Sequence, residues 1–292
     1  MGFADYRVMR CWFRGLLALL FCSLAFADEG LLGHSVGHSE SAPEAAGTAR
    51  SKARVRPFRR IPAGTPATVN DEWVITMAKK LAKDRNNVGR IKAETFAVSL
   101  AWFKHYQQLG SIALPTPHIA RSTKSRVRTA SIKRHDRMLF INYDQDSDEP
   151  RLYTVDLKNG KILGAVKMGH GAGNEKDKIP DNSKLKAKNF SNTKKSELPS
   201  LGPYVSADTF TGENGLSMGM VGLQRGLNDN AYNRMMWLHE AHYVKGQNEV
   251  CGRTSGCVAV TRSDKKGLFN FLGRNVTGST FIYAHASKPK LH

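Results

Sequence analysis

The sequence predicts an α+β chain that is mainly β, with a small helical element ahead of a β domain of about 160 residues. From Met138 onward, short runs rich in β-branched and aromatic residues recur between turn signals. They cover residues 139–143, 151–157, 162–168, 217–223, 234–239, 256–260 and 280–285. Asn159-Gly160 lies between two of these runs, the signature of a type I′ hairpin turn, which needs positive φ at both central positions. Before Met138, apolar residues instead repeat at helical spacing.

Taken in order, residues 1–27 read as an export signal. Arg7, Arg10 and Arg14 precede an apolar run over 16–25, and Ala25-Phe26-Ala27 gives the small-x-small cleavage pattern. The run is short for a bilayer span. Phe21 before Cys22 is too large for a lipid-anchor site. The expected location is the periplasm or cell wall. Residues 28–69, rich in Ala, Gly, Ser, Pro and Arg, read as a flexible basic linker. Residues 70–136 hold the helical element. Trp73, Met77 and Leu81 mark one helix after an Asn70 cap, and Phe96, Leu100 and Phe103 mark a second that stops at Gly110. Trp102 and Tyr106 are expected in the core. The basic stretch 121–134 reads as an exposed connector. Residues 137–292 form the β domain, with one helix over 263–272 capped by Ser263.

The formal charge is +19, of which the leader carries +2, so the exported chain attracts polyanions. Outside the cytoplasm these are acidic envelope surfaces and wall polymers, not nucleic acid. Cys251 and Cys257 are the cysteines that outlast the leader. They suit either one disulfide or one reactive thiol with a bystander. Nothing in the sequence fixes an oligomeric state.

Cys257 follows Gly252-Arg253-Thr254-Ser255-Gly256 and precedes a β-type run. A glycine before a nucleophile lets the backbone turn its N–H groups toward a developing oxyanion, and Arg253 would favour a thiolate. His239 ends the apolar stretch Met235-Met236-Trp237-Leu238, where it can serve as the base that thiol catalysis requires. A zinc reading through His239, His242, Cys251 and Cys257 fits poorly, because five residues separate the cysteines. No metal or other cofactor is expected.

The order of motifs resembles the YkuD-type murein L,D-transpeptidase catalytic domain family. The segments that carry the resemblance are Phe190-Ser191-Asn192, Ser200-Leu201-Gly202-Pro203-Tyr204, Gly222-Leu223-Gln224-Arg225-Gly226-Leu227-Asn228-Asp229-Asn230-Ala231, His239-Glu240-Ala241-His242-Tyr243-Val244 and Gly252-Arg253-Thr254-Ser255-Gly256-Cys257, within residues 137–287. There are three departures. Glu240 stands where the family has Gly after the histidine, Val258 where a Pro often follows the cysteine, and the arginine shortly after the cysteine is missing, with Arg253 and Arg262 as possible substitutes.

The resemblance implies a β-sandwich-like sheet assembly with a cleft at the cysteine, and acyl transfer on peptidoglycan stem peptides. Cys257 would be the nucleophile, His239 the base, and the N–H groups of Gly256 and Cys257 the oxyanion donors. His170, Ser191, Asn192, Tyr204, Arg253 and Ser255 would contact substrate or support the cleft. Transfer to an amine would give 3→3 crosslinks. Transfer to water would make the same site an L,D-carboxypeptidase or L,D-endopeptidase. A non-catalytic, basic wall-binding module is the reading from a different class.

Overall fold

The computed structural model describes residues 56, 58, 62–119, 126–174, 180–245, 250–251, 253–273 and 279–292. The expected export signal and most of the expected linker lie outside them. Among the described residues, no helix is long and apolar enough to cross a membrane.

A 3-10 turn, Ala67–Asn70, leads into α1 (Glu72–Ala82). The cap is Asp71, not Asn70: its carboxylate accepts from Trp73 N–H at 2.9 Å. Lys104 pairs with the same carboxylate at 2.5 Å. Glu72 in the first turn and Lys79 and Lys80 in the last complement the helix dipole. The buried stripe is Val74, Ile75, Met77, Ala78 and Leu81, and Trp73 sits at its exposed rim. Helix α2 (Ala93–Leu109) buries Phe96, Leu100 and Phe103, and ends at Gly110 with φ 66°. Tyr106 is buried and donates to Leu223 O at 3.0 Å, while Trp102 is half-buried.

Strands β1 (Ile112–Ile119) and β2 (Arg126–Ala130) form an antiparallel ribbon. Residues 126–130 of the expected basic connector are therefore strand. Alternating basic and β-branched residues, as in Arg126-Val127-Arg128-Thr129, satisfy a period of two that the charge had masked.

The remaining strands are β3 (Arg137–Asn142), β4 (Leu152–Asp156), β5 (Lys161–Val166), β6 (His170–Gly171), β7 (Asn189–Phe190), β8 (Gly202–Gly212), β9 (Gly215–Gly222), β10 (Trp237–Glu240), β11 (Arg253–Thr254), β12 (Val258–Val260), β13 (Phe281–His285) and β14 (Lys290–Leu291). Eight of them make one mixed sheet in the order β12-β10-β9-β8-β13-β3-β4-β5. The pairs β10–β12 and β13–β3 are parallel. The chain is thus mostly sheet with a few helices, the class that the sequence predicts.

Alternation along the central strands explains how both faces are covered. Met138, Phe140, Tyr153, Val205 and Phe281 join the cluster formed with α1 and α2. Leu139, Ile141, Tyr204, Met218, Leu238 and Ile282 join the opposite cluster with helix α3 (Arg262–Leu272). The α3 cap is Thr261, whose hydroxyl accepts from Asp264 N–H at 3.1 Å, rather than Ser263.

Two further expectations change. Asn159 does not take positive φ; Gly160 does, at 58°. The Asp156 carboxylate accepts from the Asn159 backbone at 3.0 Å and its side-chain amide at 2.7 Å, so the hairpin closes through a longer turn than type I′. The strand expected from residue 234 begins only at Trp237, because Met235 adopts φ 58° and donates its N–H to Tyr232 O at 3.0 Å.

Phe140 is fully buried against Phe96 at a ring separation of 5.3 Å. Phe140→Ala is expected to destabilise the domain by about 3–5 kcal/mol, read as a lower urea midpoint.

Candidate active site

The candidate site is built where β10 and β12 run side by side. Their parallel register pairs Leu238 with Val258, His239 with Ala259 and Glu240 with Val260. The turn from β11 into β12 carries Cys257 next to the start of β10. Its thiol donates to Met235 O at 3.3 Å and accepts from Trp237 N–H at 3.5 Å. The side chain is partly exposed.

Thr254 shapes that turn. Its hydroxyl donates to Cys257 O at 2.8 Å and accepts from Gly256 N–H at 3.1 Å. Gly256 N–H, expected from sequence as an oxyanion donor, thus already has a partner within the turn. Gly256 is required for another reason. Its φ is +105°, and a Cβ there would stand 3.3 Å from Leu198 O. Gly171 packs as closely on the other side: a Cβ on it would stand 2.9 Å from Gly256 Cα.

His239 is buried, and its Nδ1 lies 2.7 Å from Glu240 O. A carbonyl only accepts, so Nδ1 carries the proton and Nε2 keeps its lone pair. Burial pushes the imidazole below its ordinary pKa, opposed by the Glu240 carbonyl and carboxylate. His239 is therefore neutral at pH 7 and able to take a proton. It lines a cavity of about 490 Å³ together with Phe210, Glu213, Ser217 and Trp237. The tip of the β8–β9 hairpin forms one wall. Trp237 is seated by Phe210 and Tyr232, both edge-on, and by Gly219, where a Cβ would collide with the indole.

Burial pushes the Cys257 thiol up, and Trp237 N–H and the Arg234 guanidinium oppose it. Arg234 is the residue that sequence reasoning missed. Its Nη1 donates to Ser191 O at 2.5 Å and Ser200 Oγ at 2.7 Å, and its Nη2 to Ser196 Oγ at 2.9 Å and Leu198 O at 2.5 Å. The guanidinium thus holds the 191–200 loop beneath the cysteine turn. Its signal was an arginine opening the otherwise apolar run Met235–Leu238, in a chain lacking the arginine that the resemblance placed after the cysteine. Of the substitutes expected from sequence, Arg262 is largely exposed and pairs with Glu240 at 3.2 Å. Arg253 pairs through its backbone with His170, and its side chain lies outside the described part.

The other expected contacts are built into the framework. His170 is fully buried. Arg151 Nη2 donates to its Nδ1 at 2.6 Å, and its Nε2–H donates to Ser183 O at 3.0 Å. Both of its ring nitrogens are thus engaged within the framework around β6. Arg151 is itself fully buried, and burial pulls it down to about 10. Ser191 donates to His292 O at 2.6 Å, Asn192 donates to Asp229 at 2.6 Å, and Tyr204 is fully buried. Ser255 is exposed in the turn. Both cysteines are free, so the expected disulfide alternative does not form; Cys251 is buried against Ala241, Val244 and Ala259. Among the described residues, no group of three or more His, Cys, Asp or Glu is placed to hold a metal.

The L,D-transpeptidase catalytic domain family matches residues 117–284 of the chain. Among solved structures, an L,D-transpeptidase from Mycobacterium smegmatis is 9% identical over 56% of this chain and 64% of its own, with a TM-score of 0.31. Bd1075 from Bdellovibrio bacteriovorus is 12% identical over 59% and 52%, at 0.32. An L,D-transpeptidase from Stackebrandtia nassauensis is 13% identical over 80% and 98%, at 0.31. The chain thus spans less than two thirds of the first two relatives. No curated protein matches it.

A thiol held up by burial is protonated at rest. Its alkylation by iodoacetamide should keep accelerating beyond the ordinary thiol pKa of about 8.5, with Cys257 identified by peptide mass mapping; a plateau at neutral pH would indicate a preformed thiolate instead. Arg234→Gln removes the opposing cation. It should slow alkylation at pH 8, since a thiol pushed further up holds less thiolate at that pH.

Proposed function

Because the chain belongs to the L,D-transpeptidase catalytic domain family, whose members act on peptidoglycan, we propose that it is a cysteine acyltransferase that cuts a tetrapeptide stem after its third residue and forms 3→3 crosslinks. The observation that supports this reading is the juxtaposition on β10 and the β11–β12 turn. A thiol is anchored at the start of the strand that carries a neutral, tautomer-fixed imidazole facing a cavity.

The thiol at rest points to the backbone of residues 235 and 237, and His239 lies two residues further along, about 6.6 Å of strand rise. Catalytic hydrogen bonds often tighten only when substrate is present, and this reading requires the Cys257 sulfur to come within hydrogen-bond reach of Nε2 in the substrate complex. The thiol proton then passes to Nε2 as sulfur attacks the carbonyl carbon. The C–S bond forms and the carbonyl π electrons move to oxygen, where Cys257 N–H donates. The imidazolium returns its proton to the leaving amine, and the C–N bond breaks to give a thioester and a free D-amino acid. An acceptor amine repeats the attack, with sulfur now leaving. Water in that role would give the carboxypeptidase or endopeptidase outcome. The basic surface would hold the enzyme near acidic envelope polymers. Export to the periplasm or cell wall belongs to the same reading.

Incubation of the protein with purified tetrapeptide muropeptides, followed by mass spectrometry, tests this. Crosslinked dimers are expected, with an acyl adduct on Cys257, and Cys257→Ala should abolish both. Tripeptides alone would assign hydrolysis. Unchanged turnover in Cys257→Ala would sink the cysteine mechanism.

A further inference from the structure

Glu240 stands directly after His239, where the family resemblance places glycine. Its backbone carbonyl accepts from His239 Nδ1–H. Its carboxylate turns the other way, onto α3: Oε2 pairs with Lys265 Nζ, and Oε1 lies 3.2 Å from Arg262 Nε. The Lys265 and Glu240 side chains are 16% and 15% exposed, whereas that of Arg262 is 89% exposed. Solvent-exposed pairs contribute little, so Lys265 is the partner that fixes Glu240. The Lys265 ion pair, first among the causes, holds the Glu240 carboxyl below its usual range.

The same pair packs beside the base of the hairpin whose tip lines the His239 cavity. Gly215 opens β9 at the base of the hairpin tip, with φ +65°, and a Cβ there would stand 3.2 Å from Lys265 Nζ and 3.7 Å from Glu240 Oε1. One ion pair therefore joins the end of β10, the first turns of α3 and the hairpin that overhangs the cavity.

We propose that Glu240 is a positioning residue, whose ion pair with Lys265 fixes the carbonyl that holds His239 Nδ1–H and so keeps the Nε2 lone pair turned into the cavity. This rests on the acyl-transfer reading for its purpose, but the geometry stands without it. The carboxylate does not touch the imidazole as a relay partner. It acts through the peptide unit of its own residue, whose Ala241 N–H also donates to Val260 O at 3.0 Å, and a glycine in its place would remove the second tether, the one to α3. The charged and titratable groups around His239 are Glu240 on its own strand, Glu213 on the hairpin, Arg262 and Lys265 on α3, and the Cys257 thiol on the neighbouring turn.

The test is an NMR titration of the His239 ring in the full chain, which needs no substrate. In the native protein the neutral ring is expected as a single Nδ1–H tautomer. Glu240→Gln removes a negative charge that favours the imidazolium, so the titration should move to lower pH. Lys265→Met removes the neutralising cation, so it should move to higher pH. In both variants the neutral ring should become a mixture of tautomers, and turnover of muropeptide should fall at least several-fold in kcat with KM little changed. Shifts of opposite sign cannot come from simple misfolding. An unmoved titration and a single tautomer in both variants would overturn the proposal, whereas a native protein that leaves muropeptides unprocessed would overturn only the acyl-transfer reading.

Discussion

The parallel pairing of β10 with β12 is the constraint on which the site depends. Parallel neighbours cannot be joined by a tight hairpin, so the chain leaves β10, passes through residues 241–251 and returns by β11 before entering β12. That detour is what sets a turn, rather than a strand, beside the start of β10. The turn supplies the thiol and the strand supplies the imidazole. Their relative position is then fixed by backbone hydrogen bonds in a sheet whose two faces are both buried, not by a direct bond between the two side chains.

Polar groups buried around this pairing are satisfied by backbone carbonyls more than by opposite charges. Arg151 donates to Met168 O and Gln145 O, Arg234 to Ser191 O and Leu198 O, and His239 to Glu240 O. Carbonyl acceptors let a cation be buried without a matching anion, at the cost of a depressed pKa. One of these cations, Arg234, opposes, without cancelling, the effect of burial on the Cys257 thiol.

Much of this was legible in the sequence. The Trp73, Phe96 and Phe103 spacing marked the helices, because a long amphipathic period is hard to mistake, and the His239 and Cys257 segments marked the site through motif order. What was not legible depended on tertiary contacts. Strand β8 was hidden because Gly202, Pro203 and Gly212 look like turn residues; Pro203 sits near the start of the strand, where the lost donor matters little. The caps moved by one or two residues, to Asp71 and Thr261, since several cap-competent side chains stood in a row at each end. Arg234 was invisible as a site residue because all four of its recorded acceptors lie more than thirty positions earlier in the chain. His170 and Tyr204 matched motif positions, but motif order carried no signal that both are fully buried.

The seat of Trp237 has one more consequence. The indole lines the cavity with His239, is gripped by two aromatic edges, and rests in the notch left by Gly219. The other tryptophans of the sequence are Trp12, outside the described residues, and Trp73 and Trp102 on α1 and α2. With Trp12, Trp73 and Trp102 replaced by phenylalanine, emission from Trp237 alone becomes an optical reporter of cavity hydration, set two residues from the imidazole.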